Sequence, residues 1–253
     1  MRRSFKRSDR NRSEPSTSVQ DFENLKLKID LHVHTIYSSD SFITPKELVF
    51  YAKKRGLDGV AVTDHDKLDS ALKICRETDF LVVPGMEISS ADGHIVALNV
   101  RESIPKGLRS EETVERIHQA GGIAIACHPT TFFKGSLGEH TTSNFDAIEV
   151  INSSAFPFRY SQKRSEELAS RLGVARVAGT DAHFAPEIGY AFTLIDAEPD
   201  VGEMASAIKN GECEPFGGAI PLPVRLRREL YKLLKLVGSE HKEANECGEM
   251  DRP

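Results

Sequence analysis

The chain has 253 residues, of which 39% are hydrophobic, and a formal net charge of −5. This length and apolar content predict one sizeable domain with its own buried core. The charge argues against a general nucleic-acid coat, and no segment approaches the run of about 18 apolar residues that a membrane span needs. The four cysteines are scattered without a CxxC pair, which argues against a disulfide framework or a thiolate zinc site. We therefore expect a soluble cytoplasmic protein with reduced thiols.

The two ends of the chain differ from its middle in composition and in the pattern of apolar residues. Residues 1–24 are rich in arginine and serine and lack apolar periodicity, so a disordered basic tail is predicted. Residues 239–253 are polar and are also predicted to be disordered. Between them, residues 25–222 form the predicted domain, and a helix over 223–238 is expected to pack on it through an apolar face. That face consists of Leu226, Leu230, Leu233 and Leu234.

The middle of the chain alternates between two patterns. Apolar and β-branched runs predict strands at 26–33, 59–64, 80–87, 94–100, 123–128, 147–152, 175–181 and 191–196. Helical patterns are predicted between them at 45–55, 110–120, 160–172 and 201–209. Continuous apolar strands that alternate with helices are typical of a parallel sheet covered on both faces, and about seven repeats favour a closed barrel.

Histidines and carboxylates gather where the predicted strands end. The residues concerned are His32, His34, Asp40, His65, Glu87, His94, His128, Asp181 and His183. In an α/β barrel the loops after the strands converge on one face, so we expect these side chains to meet there. His32 and His34 lie two residues apart on a strand and point to the same side. A set of imidazoles and carboxylates suits Mn, Zn or Fe better than Mg or Ca. Asp64 is not expected to bind a metal ion but to support the site by hydrogen bonding.

Seven segments, in this order, resemble the successive motifs of the PHP (polymerase and histidinol phosphatase) domain family. They are DLHVHT (30–35), the following Asp40, TDHD (63–66), PGMEIS (84–89), GHIVALN (93–99), CHP (127–129) and GTDAH (179–183). The resemblance runs from about residue 27 to 220 and implies a distorted (β/α)7 TIM-like barrel, an α/β fold.

The resemblance also implies up to three divalent metal ions per chain. The first would be held by His32, His34, Glu87 and Asp181. The second would share Glu87 and add His94 and His128, and the third would be held by Asp40, His65 and His183.

The motifs are most similar to those of stand-alone members that act on nucleoside 3′,5′-bisphosphates and on the 5′ ends of short RNA or DNA. This implies a metal-dependent phosphoesterase in which a metal-bridging hydroxide attacks, with Glu87, Asp181 and His128 as catalytic residues. Such enzymes often carry an inserted domain before the later histidine, but only 34 positions separate His94 from His128 here. Arg159 and Arg164 are candidate substrate contacts, and no membrane or obligate protein partner is expected.

Three other functions stay open from the sequence. A small metabolite such as histidinol phosphate could be the substrate instead of a nucleotide. Metal-dependent amidohydrolases also use barrel histidines, but they commonly need a carboxylated lysine at a strand end, and none is apparent here. A non-catalytic, metal-stabilised module of a nucleic-acid-processing complex is disfavoured because no ligand position has been lost.

Overall fold

The computed structural model describes residues 26–132 and 135–249, so the basic tail predicted over 1–24 lies outside it. The strands within these residues are β1 (Lys26–Val33), β2 (Gly59–Val62), β3 (Leu81–Ser89), β4 (His94–Leu98), β5 (Ile123–Ala126), β6 (Ala147–Asn152), β7 (Ala175–Gly179), β8 (Ala191–Asp196) and β9 (Cys213–Gly217). The helices are α1 (Pro45–Lys54), α2 (Asp69–Glu77), α3 (Ser110–Gln119), α4 (Phe158–Leu172), α5 (Val201–Asn210) and α6 (Leu222–Glu249).

The strands form one sheet that curls into a nearly closed barrel, in the order β7-β6-β5-β4-β3-β2-β1-β8-β9. Closure comes from β1 meeting the segment after β7, where Val33 forms a parallel bridge with Ala182. The amide of His34 also donates to the carbonyl oxygen of Ala182 at 3.0 Å. The predicted distorted TIM-like barrel is therefore confirmed.

The sheet is mixed, so the expectation of a wholly parallel sheet is wrong. β4 runs antiparallel to both β3 and β5, and β8 runs antiparallel to β1 and β9. Only residues 90–93 join β3 to β4, and a connection this short can form a hairpin but cannot make a parallel crossover. The sequence patterns also missed α2 and the edge strand β9, which contains Pro215.

Two hydrophobic layers hold the barrel together. Outside it, strand residues pack against the buried faces of α1 to α4, including Leu48, Ile74 and Ile117. Inside it, alternate strand residues pack with Met204 and Ile208 of α5. The helix α1 begins at a capping box, because Thr44 accepts from the amide of Glu47 and the Glu47 carboxylate accepts from the amide of Thr44.

The last helix contacts the barrel through polar and aromatic side chains. Arg228 pairs with the fully buried Glu187 at 2.9 Å, and the Tyr231 ring centroid lies 5.3 Å from that of Phe42. The guanidinium of Arg225 donates to the backbone carbonyl groups of residues 153, 154 and 220.

The prediction for the leucine face of this helix is wrong. Leu226, Leu230, Leu233 and Leu234 are between 57% and 64% exposed instead of packed on the barrel. The helix also continues through 239–249, where disorder was predicted. None of the helices in the described part of the chain is long and apolar enough to cross a bilayer.

Candidate metal centre

Nine side chains converge at one rim of the barrel. His32 and His34 come from the end of β1, His65 from the end of β2 and Glu87 from β3. His94 starts β4, and because β4 is antiparallel to β3, its first residue pairs with Ser89 at the same rim. The loops after β1, β5 and β7 supply the remaining members, which are Asp40, His128, Asp181 and His183.

Glu87 lies at the middle of this cluster and is 1% exposed. Its Oε1 lies 2.9 Å from Nδ1 of His94 and 3.0 Å from Nε2 of His128. Its Oε2 lies 3.1 Å from Nδ1 of His65 and 3.2 Å from Nε2 of His34. This one carboxylate therefore connects histidines from four different parts of the chain.

Two further carboxylates complete the cluster. Oδ1 of Asp181 lies 3.3 Å from Nε2 of His34 and 3.6 Å from Nδ1 of His183. Oδ2 of Asp40 lies 3.2 Å from Nε2 of His183 and 3.4 Å from Nε2 of His65. The structure thus brings together all nine residues that the sequence singled out.

The donor atoms fit divalent metal ions. Four groups of three each bring their donor atoms within 4.8 Å of one another, namely His32–His34–Asp181, His32–Glu87–His128, His65–Glu87–His94 and His34–His65–His183. Oε2 of Glu87 is buried and has no hydrogen-bond partner among the described residues. Nε2 of His32 also faces Nε2 of His34 at 3.2 Å. Nitrogen and oxygen donors that crowd together in this way are satisfied by cations shared between them.

The charges of the cluster support the same conclusion. Burial by itself would raise the pKa of Glu87, but His32, His128 and His34 hold that pKa well below its usual range. Burial would lower the pKa of His32, yet the carboxylates of Asp181, Glu149 and Glu87 raise it well above the ordinary value. The carboxylate of Glu87 therefore stays ionised, and the imidazole of His32 holds a proton that a divalent cation can displace.

Comparison with known proteins agrees with the fold and the site. Residues 30–128 match the family model of the PHP domain, and residues 159–213 match the PHP-associated model. An uncharacterized protein of Methanocaldococcus jannaschii is 39% identical over 140 residues, which make up 50% of this chain and 82% of that protein. The chain belongs to the PHP domain family.

Two further proteins match over a smaller share of the chain or at lower identity. A 5′-3′ exoribonuclease of Haemophilus influenzae is 37% identical over 86 residues, 31% of each chain. A two-domain protein of Bacteroides vulgatus contains a predicted PHP-like metal-dependent phosphoesterase and superposes with a TM-score of 0.63 at 18% identity. That match covers 76% of this chain and 65%, slightly less than two thirds, of the other. The family, the barrel and the convergent donors together are those of a metal-dependent phosphoesterase.

One buried carboxylate beside the PHP centre was missed from the sequence. Glu149 is 3% exposed and lies with Oε1 3.2 Å from Nδ1 of His32. Its Oε2 accepts from the amide of His128 at 2.9 Å and from Nδ2 of Asn152 at 2.9 Å. Glu149 therefore orients two histidines of the centre at once. The available signal was a carboxylate inside the buried apolar run of β6, where an unpaired charge is costly.

Asp64 is a second buried carboxylate, and it has the supporting role that the sequence predicts for it. It accepts hydrogen bonds from the backbone and hydroxyl of Thr35 and from the hydroxyls of Ser38 and Ser70. Oγ of Ser38 also lies 3.3 Å from Nδ1 of His34. Asp64 thus fixes the turn after β1 and, through Ser38, the ring of His34.

The backbone at the PHP centre is strained in two places. His128 and Asp181 have φ angles of 36° and 54°, in the left-handed region that side chains with a Cβ rarely adopt. Such residues cluster where function fixes the direction of a side chain. Gly179 leaves room for this arrangement, because a Cβ there would lie 2.5 Å from Cβ of His32.

The two arginines proposed from the sequence lie in different places. Arg164 lines a cleft of about 520 Å³ with Tyr160 and Arg171, and Thr131 lines both this cleft and the metal centre. Arg159 is exposed and does not line the cleft. Both arginines are therefore exposed, and they differ in that Arg164 lines the neighbouring cleft, where it pairs with Glu167 at 3.4 Å.

Proposed function

We propose that the protein hydrolyses phosphate esters of nucleotides and of the 5′ ends of short nucleic acids, as a nucleoside 3′,5′-bisphosphate phosphatase or a 5′-3′ exonuclease does. The nine converging side chains would hold two or three divalent ions, and Mn, Zn and Fe suit their nitrogen and oxygen donors. When bound, such ions neutralise phosphoryl oxygens and acidify water.

Residues of the chain itself would bind the phosphoryl oxygens and assist the attacking water. Thr131 and Ser154 line the cleft of the centre, and their hydroxyls, which donate to the carbonyl oxygens of His128 and Asp181, can rotate to donate to phosphoryl oxygens instead. Burial would raise the pKa of Asp181, but the imidazoles of His32 and His34 hold it below its usual range, so the carboxylate stays ionised and can orient the attacking water by accepting a hydrogen bond from it. The imidazole of His128, 3.0 Å from Glu87, would hold an ion together with that carboxylate, and the leaving oxygen would take its proton from solvent water.

The observation that favours a nucleotide is the aromatic edge of the neighbouring cleft. The rings of Phe132 and Tyr160 stack with centroids 4.9 Å apart, and both side chains are exposed. Exposed aromatic rings serve as stacking platforms for bases of single-stranded nucleic acids. Arg164 and Arg171 line this cleft, but Glu139 and Glu167 line it too, and Arg164 pairs with Glu167 at 3.4 Å, so the aromatic rings and not the charge carry the argument. The similarity to an exoribonuclease supports the same substrate class.

The test is release of inorganic phosphate or of mononucleotides with added Mn, Zn or Fe(II). The panel contains nucleoside 3′,5′-bisphosphates, nucleoside 5′-monophosphates, 5′-phosphorylated oligonucleotides, histidinol phosphate and a sugar phosphate. We expect nucleotide substrates to have the highest kcat/KM. A preference for histidinol phosphate or the sugar phosphate would contradict the nucleotide assignment, and absence of hydrolysis for the whole panel would contradict the phosphoesterase itself.

Tyr160→Ala tests the aromatic edge directly. Loss of base stacking should raise KM for nucleotides about tenfold relative to KM for the sugar phosphate. Phe50→Ala is the matched control, because Phe50 is 59% exposed but lies on α1, outside the residues that line the cleft. An equal effect of the two substitutions on nucleotide KM would refute stacking at Tyr160.

A further inference from the structure

The leucine face of α6 is exposed in the part of the chain that the structure describes. Its four leucines are between 57% and 64% exposed, and Leu222 at the start of the helix is 66% exposed. Arg228 and Lys235, which contact the barrel, lie on the opposite side of α6, since about 3.6 residues make one helical turn. A contiguous apolar stripe on a helix that is fastened by its other side marks an interaction surface.

The spacing of the leucines indicates what kind of surface they meet. Leu226, Leu230 and Leu233 follow one another at intervals of four and three residues, and Val237 comes four residues later in the sequence. Alternating intervals of this kind let two helices pack side by side, with each apolar side chain set among side chains of the other helix. The leucine face therefore matches another helix better than it matches a flat surface.

A groove of about 330 Å³ lies beside the leucine face, between α6 and α1. Leu230 and Leu234 form one of its walls, and the rings of Phe42, Tyr51 and Phe184 line others. The same surface thus carries both a projecting stripe and a recess. Such a surface can pack against a copy of itself, because a two-fold contact presents the same patch on both sides.

The charge of α6 changes sign along its length. Residues 225–235 include five arginines and lysines and one glutamate, whereas residues 240–249 include four glutamates and one lysine. Two copies of the helix packed antiparallel would bring the basic half of each beside the acidic half of the other. A parallel pair would bring like charges together, which is unfavourable. Charge therefore favours an antiparallel pair of identical helices.

An anionic membrane fits the same helix less well. Helices that lie on such membranes are rich in arginine and lysine on their polar face, and basic segments are attracted to anionic lipids. The four glutamates of residues 240–249 and the net charge of −5 of the whole chain would be repelled by such lipids.

We propose that the leucine face is a homodimer interface, in which α6 packs antiparallel against α6 of a second copy. Each barrel lies behind its own helix, on the side of Arg228, so the two barrels lie on opposite sides of the helix pair. The dimer dissociates in the micromolar range, because a stripe of four leucines is small compared with the interface of an obligate dimer.

Sedimentation equilibrium of the full chain over a range of micromolar concentrations measures the dimer. One variant combines Leu230→Gln with Leu233→Gln, and a second combines Glu240→Gln, Glu243→Gln and Glu246→Gln. Phe132→Gln is the matched control for the first, because Phe132 is 67% exposed but lies outside α6.

Thermal unfolding and circular dichroism in dilute solution, where the chain is monomeric, show whether each variant folds. The leucines are exposed in the monomer, so their substitution should leave this unfolding nearly unchanged.

We expect the wild-type protein to dimerise reversibly. The double leucine variant should raise the Kd of the dimer at least about a hundredfold, and Phe132→Gln should leave it unchanged. The triple glutamine variant should raise the Kd about three- to tenfold at low salt, because it removes the attraction between the two halves of the helices. In a parallel dimer the same variant would lower the Kd, since it would remove repulsion.

Three results would overturn the inference. They are a wild-type chain that remains monomeric over the whole range, a Kd that is unchanged in the folded double leucine variant, and a tighter dimer in the triple glutamine variant. Flotation with vesicles of phosphatidylcholine and phosphatidylserine identifies the occupant if the chain is monomeric. Vesicle binding that the double leucine variant loses would assign the leucine face to a membrane instead. None of these measurements requires hydrolysis, so their outcome leaves the proposed function untouched.

Discussion

The metal centre and the contact between α6 and the barrel both bury carboxylates, but they neutralise them differently. At the centre, the partners of Glu87 are imidazoles, which can give up their protons to cations. At the α6 contact, the partner of Glu187 is the guanidinium of Arg228, which keeps its proton. The first arrangement can exchange protons for metal ions, and the second is a permanent structural contact.

The two sites are also connected to each other. Glu187 accepts hydrogen bonds from the amides of His183 and Phe184, both at 3.2 Å. The ion pair with Arg228 therefore holds the loop that carries His183 to the centre. Substitutions at the metal centre should therefore act on chemistry, whereas substitutions at the α6 contact should act on stability first and reach the centre only through this loop.

The largest effect is expected for Glu87→Gln. The amide keeps the shape of the side chain but removes the charge that connects four histidines, so kcat should fall about a thousandfold or more. Circular dichroism and thermal unfolding should show that the barrel still folds. Near wild-type hydrolysis with full metal loading would show that Glu87 is not the central ligand.

Arg228→Met should chiefly affect stability. It leaves Glu187, which is 0% exposed, without its cation, and removal of one partner of a buried ion pair costs about 3 kcal/mol. Chemical denaturation measures the loss of unfolding free energy. The double variant Arg228→Met with Glu187→Gln is the control, since it removes the stranded charge and should recover part of the loss. A single variant as stable as wild type would mean that the pair does not anchor α6.

Glu149→Gln is expected to act on metal affinity. The amide can no longer support His32 as a carboxylate does, and loss of such a partner weakens metal binding about 10- to 100-fold. Metal titration measures this, and excess metal should restore most of the activity. Asp146→Asn is the matched control, because Asp146 pairs with His118 at 2.7 Å outside the centre. Equal weakening by both substitutions would argue against a specific role for Glu149.

The smallest effect is expected at the exposed leucines of α6. Leu226→Gln and Leu230→Gln should change the unfolding free energy by less than about 0.5 kcal/mol, as is usual for surface positions. Leu48→Ala on α1 provides the contrast, because Leu48 is fully buried and should lose about 2 to 5 kcal/mol. If the glutamine variants lost as much as Leu48→Ala, the leucine face would be covered by other parts of the protein.

The candidate metal-binding residues at the rim of the barrel could be predicted from the sequence because few residue types can bind metal ions. Histidines and carboxylates at the ends of apolar strands have few ways to be satisfied, and the strand ends could be located within a few residues. The sequence did not predict the role of Glu149, because this residue lies in the middle of β6 and only the three-dimensional structure shows His32 and His128 beside it.

Strand direction and helix orientation were harder to predict, for a different reason. The apolar run of β4 has the same composition as a parallel strand, and only the short turn before it makes it antiparallel. The amphipathic pattern of α6 shows that an apolar face exists, but not which face meets the barrel. That choice depends on Glu187 and Phe42, which are distant in sequence from α6.

Metal content measured together with phosphate release tests the central claim most directly. Protein purified without chelator should contain two or three divalent ions per chain, drawn from Mn, Zn and Fe. Phosphate release from a nucleotide should disappear on chelation and return when metal is added back. Protein that contains no divalent ions above background, and that releases phosphate equally well after chelation, would contradict a catalytic metal centre at this rim.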